Sequence, residues 1–236
     1  MKRTLQSRGH QAGSLFSAGA VALIAATYGL ARLGYGLFLP AFSAAFTLSP
    51  MMGGLLASGT SVLYCAAALV GFRHAPTRPR LMTLLAGTTA ALGSAGIAAA
   101  HATPFFAGSV LLAGVGAGFA SPALVELVQR NIGSGKQKKL QSVVNSGTGF
   151  GVVTAGSLAL AAGPSWRLAW VLIAGITLAA MICVLRADTS IASDSGGQSG
   201  QIEPGGPATA LLGDKASPEA IANINKAYGF DRPLIE

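Results

Sequence analysis

One cation, Arg32, stands in a run of apolar and small residues that opens at Ser14, within the stretch YGLARLGYGLFLP at 28–40. A guanidinium is a planar fork that grips a carboxylate or phosphate through parallel N–H donors. Tyr28 and Tyr35 lie about one helical turn to either side of it, at the spacing for polar or stacking contacts with whatever it holds. Two readings stay open. Arg32 either snorkels outward beside Tyr35 or bonds backbone carbonyls, or it recognises an anionic group on a small solute.

The other polar candidates are sparse. Glu126 is the only acid among residues 1–186. It falls near the end of an apolar segment, at the wrong depth for Arg32, and suits either an interfacial pair with Arg130 at i+4 or a proton carrier. Asn145 is a candidate for the solute path. Ser146, Ser121 and Pro122 suit either a polar, kinked cavity wall or ordinary helix packing. His10, His74 and His101 fall outside the apolar segments, and Cys65 and Cys183 show no metal or redox spacing. No metal site, cofactor site or catalytic constellation is indicated, and the chain is not read as an enzyme.

The elements that must carry these residues follow from composition. Of 236 residues, 51% are hydrophobic and 10% charged, far below the roughly 25% charge of soluble domains. A helix needs about 20 apolar residues to cross the hydrocarbon core, and residues 41–72, 81–125, 140–166 and 168–185 are free of charge. The second run is long enough for two crossings and divides at His101–Pro104. Six spans are predicted, at about 14–39, 51–72, 81–100, 105–128, 142–162 and 166–185. On the first of these, a 25-residue helix, Arg32 falls about 8 Å beyond the middle. The fold class is an all-α membrane protein, a six-helix bundle in the lipid bilayer with a mostly disordered C-terminal tail.

Orientation follows from the basic residues. Lys2, Arg3 and Arg8 precede the first span, Arg73, Arg78 and Arg80 join spans two and three, and Arg130, Lys136, Lys138 and Lys139 join spans four and five. The opposite loops at 40–50, 101–104 and 163–165 contain none. Both termini are therefore expected in the cytoplasm. The net charge of +8 belongs to these loops rather than to one folded face, which argues against nucleic acid as a partner. The first apolar run is too long for a signal-peptide core and is read as an uncleaved span.

Glycines punctuate spans four and five. The pairs Gly114/Gly118 and Gly147/Gly151 have the GxxxG spacing that lets another helix approach closely, and they also suit a substrate path or a bend. No strand precedes them and no acidic residue follows at the nucleotide-binding spacing. The chain therefore divides into a cytoplasmic N-terminus at 1–13, a membrane domain at 14–186, a Ser/Gly/Asp-rich linker at 187–204 and a tail at 205–236. A short helix is expected at about 218–228.

The first-span stretch and LLAGVGAGFASPALVELV at 111–128, set among six spans with cytoplasmic ends, resemble the N-terminal half of a bacterial major facilitator superfamily transporter, in its YbfB/YjiJ-like subgroup. The resemblance implies a secondary carrier of an unknown small solute, with a substrate site facing a second six-span half or a second copy of the chain. The loop between spans two and three, GFRHAPTRPR at 71–80, keeps Gly71 and the basic residues of the superfamily's loop motif but lacks its aspartate. The tail at 205–236 resembles an extracytoplasmic segment of dipeptide and oligopeptide ABC permeases, so a truncated or fused gene product is expected. The alternative functions are a non-transporting membrane subunit and a component of such a permease.

Overall fold

The computed structural model describes residues 14–188, and these form six helices. They are α1 at Ser14–Phe46, α2 at Pro50–His74, α3 at Pro79–Ala99, α4 at Thr103–Asn131, α5 at Ser134–Ala162 and α6 at Trp166–Ala187. No strand occurs among the described residues. The N-terminus at 1–13, the linker beyond Asp188, the permease-like tail and the helix expected at 218–228 lie outside them.

Five helical stretches are long and apolar enough to cross a membrane. The last, Gly135–Ala187, has 53 residues, about 80 Å at 1.5 Å per residue, far more than the roughly 30 Å hydrocarbon core. A short 3₁₀ turn at Gly163–Ser165 divides it into α5 and α6. Gly163 sits at φ 47° and ψ −120°, a conformation open to glycine, and Pro164 follows it. Other helix starts use ordinary chemistry. Ser49 accepts the Met52 N–H at 3.2 Å with Pro50 in the first turn of α2, and prolines also open α3 and α4.

Two boundaries differ from the sequence expectation by more than a helical turn. Helix α1 runs through Pro40 to Phe46 instead of stopping at Leu39, because a proline removes one helical hydrogen bond but need not end a helix held by its neighbours. This brings Arg32 to about 3 Å from the middle of a 33-residue helix, nearer the centre than the 25-residue reading put it. Helix α5 begins at Ser134 rather than Ser142, since hydropathy detects only the part inside the hydrocarbon and not its polar first turns.

The middle of α1 is a nine-residue π-helix, Ala25–Leu33, which no local sequence signal announced. Within it the Thr27 hydroxyl donates back to the Leu23 carbonyl, which precedes the wide turns, at 2.8 Å. Wide turns of this type are uncommon and cluster at functional sites.

Helix α4 is central, packing on α2, α3 and the π segment of α1, while α3 also packs on α6, and α5 rests on α1. Two cores result. Towards the end away from the basic loops, Phe38, Phe42, Phe46, Phe106, Trp166 and Trp170 interlock, with Phe42 4.8 Å from Phe106 and 5.2 Å from Trp166 between centroids. These spacings are those of favourable aromatic pairs. Towards the basic end, Phe16, Leu23, Leu124, Leu127 and Val184 make an aliphatic core.

Polar contacts tie the helix ends. Arg80 lies 3.5 Å from the buried Asp188 carboxylate and also donates to the Leu185 carbonyl at 3.0 Å, while Asn131 donates to Asp188 at 2.8 Å. One carboxylate thus joins the start of α3 to the ends of α4 and α6. At the other end, Arg167 stacks on Trp166 and donates to the Ala98 carbonyl at 2.7 Å.

Candidate functional site

Arg32 leaves the π segment of α1 towards α2. Its guanidinium carbon lies 4.3 Å from the centroid of the Tyr64 ring, and one terminal nitrogen donates to the Ser61 hydroxyl at 3.4 Å. The Tyr28 and Tyr64 hydroxyls are 3.1 Å apart and their rings meet edge to face at 5.7 Å. Ser121 of α4 reaches the Tyr28 hydroxyl as well. The cluster therefore combines one cation, two phenols and two small hydroxyls drawn from three helices.

Its electrostatics are unbalanced. The only acids among the described residues are Glu126, in the last turns of α4, and Asp188, which Arg80 and Asn131 engage. Among the described residues no carboxylate pairs with Arg32, and its Nε is buried with no hydrogen-bond partner. An unmet donor on a charged group deep in an apolar bundle is costly. Ser61 is exposed, so the cluster opens on the face of α2 that the other five helices leave bare.

The remaining sequence candidates fall elsewhere. Tyr35 turns inward, stacks on Phe42 at 5.9 Å and donates its hydroxyl to the Gly53 carbonyl at 3.2 Å. The wide turns end at Leu33, so Tyr35 lies in the ordinary α-helical part of α1. Asn145 is exposed on α5, where it accepts from Gln141 at 3.3 Å. No ion pair among the described residues joins Glu126 to Arg130, whose guanidinium donates to the Pro76 carbonyl.

The glycine pairs of α4 and α5 each meet a different helix. A side chain at Gly114 would strike Thr60, and one at Gly118 would sit 2.5 Å from the Tyr64 carbonyl oxygen, both on α2. Gly147 faces the Val21 carbonyl of α1, and Gly151 touches Ala25 and Gly29 where the π-helix lies. Gly118 thereby sets the height of Tyr64, while Gly151 abuts the segment that carries Arg32. Gly71, read as part of a loop motif, lies inside α2 and leaves room for Pro122 of α4.

Tyr64 and Ser61 were not found by sequence reasoning. The available signal was the rarity of tyrosine, four in the whole chain, with Tyr64 the one phenol in the second apolar segment. Nothing local linked it to Arg32, 32 positions earlier.

Five apolar stretches of membrane length, the last divided into α5 and α6, with an internal cation opening on an uncovered face, make this a multi-pass integral membrane protein built like a transporter. The chain belongs to the Major Facilitator Superfamily, whose family model matches residues 21–224. No curated protein matches it.

Proposed function

We propose that the protein is a secondary carrier of a small anionic solute in the bacterial inner membrane, with both termini in the cytoplasm and Arg32 as the group that grips the anion. The observation that carries this reading is the buried, unpartnered Nε of Arg32 beside the Tyr64 ring, with Tyr28 and Ser61 hydroxyls around it. A carboxylate or phosphate oxygen supplies the missing acceptor and offsets the charge. The tyrosine face holds the guanidinium in place without neutralising it.

The opposite wall of the path is assigned to a second six-span unit or a second copy of the chain, meeting the bare faces of α2 and α5. Asn145, exposed on α5, then faces that shared space. Transport on this reading proceeds by rocking one unit against the other, with no cofactor.

Titration of the purified full chain with a panel of small carboxylates and phosphates tests the assignment. Arg32→Ala is expected to weaken the best ligand roughly 10- to 100-fold, the range of a lost charged hydrogen bond. Arg32→Lys should restore little of it, since an ammonium lacks the planar fork. Equal binding by wild type and both variants would overturn the role of Arg32.

A further inference from the structure

At the basic end a groove of about 580 Å³ is lined by Ser17 of α1, Ile132 of the α4–α5 connection, and Lys136, Lys139, Leu140 and Val143 of α5. We propose that this groove is a binding site for one anionic phospholipid, with its phosphate between Lys136 and Lys139 and its glycerol and first acyl carbons on Ile132, Leu140 and Val143.

Depth places the groove at the right level of a bilayer. Helix α5 has 29 residues, about 43 Å at 1.5 Å per residue, whereas the hydrocarbon core is about 30 Å. Its first turns, with the lysines, therefore overhang into the headgroup layer, and Leu140 and Val143 enter the acyl region. Along α5 the lining runs from Lys136 and Lys139 to Leu140 and Val143, cationic towards the helix end and aliphatic towards the bilayer, as an amphipathic ligand requires.

Charge selects the class of lipid. Lys136 and Lys139 are exposed, and no ion pair engages them among the described residues. Of the two described acids, Asp188 is engaged by Arg80 and Asn131, and neither it nor Glu126 lines the groove. A zwitterionic headgroup has no net charge and leaves the lysine pair at +2, whereas a singly anionic one lowers it to +1. Basic pockets between membrane helices at such an end are suited to acidic headgroups. Size argues against a free inorganic anion. The groove, at about 580 Å³, is far larger than a bare phosphate, which would leave the aliphatic floor unfilled.

The test is native mass spectrometry of the full chain in detergent, titrated with phosphatidylglycerol and with phosphatidylcholine of the same acyl chains. Phosphatidylglycerol is expected to bind at least about tenfold more tightly, and the double variant Lys136→Gln/Lys139→Gln to lose about thirtyfold, at roughly fivefold per lysine. Lys136→Arg/Lys139→Arg should keep the preference. Lys138→Gln, which alters a separate groove beside Val125 and Gln141, should leave it within about twofold. Equal binding of the two lipids, an equal loss in Lys138→Gln, or full displacement by millimolar inorganic phosphate would each overturn the proposal. The last outcome would mark a small-anion site instead.

Discussion

Arg32 and Tyr64 meet across the α1–α2 boundary with the guanidinium carbon 4.3 Å from the ring centroid, and the same phenol hydroxyl lies 3.1 Å from that of Tyr28. Tyr64 thus supports the cation with its face and bonds with its edge. The two functions can be separated by substitution. Tyr64→Phe keeps the ring and should lower stability by about 0.5–1.5 kcal/mol, the worth of one hydrogen bond. Tyr64→Leu also removes the cation–π contact and should lose a further ~0.5–2 kcal/mol. Thermal melting of the purified variants reads the difference, and equal melting of the two would show that the ring face contributes nothing.

Gly151 abuts Ala25 and Gly29 of α1, while Gly149 on the same helix has open space around it. Gly151→Val therefore drives two backbones apart and should destabilise by about 1–3 kcal/mol, as overpacking does. Gly149→Ala should be neutral or slightly stabilising, because it adds helix propensity without a clash. A Gly151→Val variant that melts with wild type would mean that α1 and α5 do not depend on this contact.

Asp188 is fully buried beside an Arg80 side chain that is 41% exposed, and Asn131 donates to it. Asp188→Ala leaves the Asn131 amide without that acceptor and loosens the α3, α4 and α6 ends together. The expected loss is about 1–3 kcal/mol, below that of a wholly buried pair because water reaches Arg80. Asp188→Asn, which keeps an acceptor for Asn131, should recover part of it. A protease-resistance assay in detergent measures both, and wild-type resistance of Asp188→Ala would remove the carboxylate from any structural role.

Reporter fusions after Leu185 and at the N-terminus should both register as cytoplasmic, since ten basic residues flank one set of helix ends and none occupies the opposite short loops. Periplasmic signal from the Leu185 fusion would contradict an even number of crossings.

The apolar segments were legible because membrane insertion depends on the composition of about 20 consecutive residues, which is local information. The same is true of the break at Gly163–Ser165 and the turn before Thr103, where proline and glycine act on their own backbone. Local reading failed wherever a helix outran its apolar portion, as at the polar first turns of α5, or crossed a proline, as α1 does at Pro40.

Residue types and chain order alone determined that Arg32 lies in a membrane span without an acid on its own helix, and that the glycine pairs admit close neighbours. Only the tertiary structure decided which neighbours. It set Tyr64 and Ser61 of α2 against Arg32, turned Tyr35 into the aromatic core and laid Gly151 on the π segment. The physical reason is that these pairings depend on how helices far apart in sequence pack together. A π-helical stretch also shifts the angular phase of every residue beyond it, while leaving no trace in the apolar pattern from which phase is read.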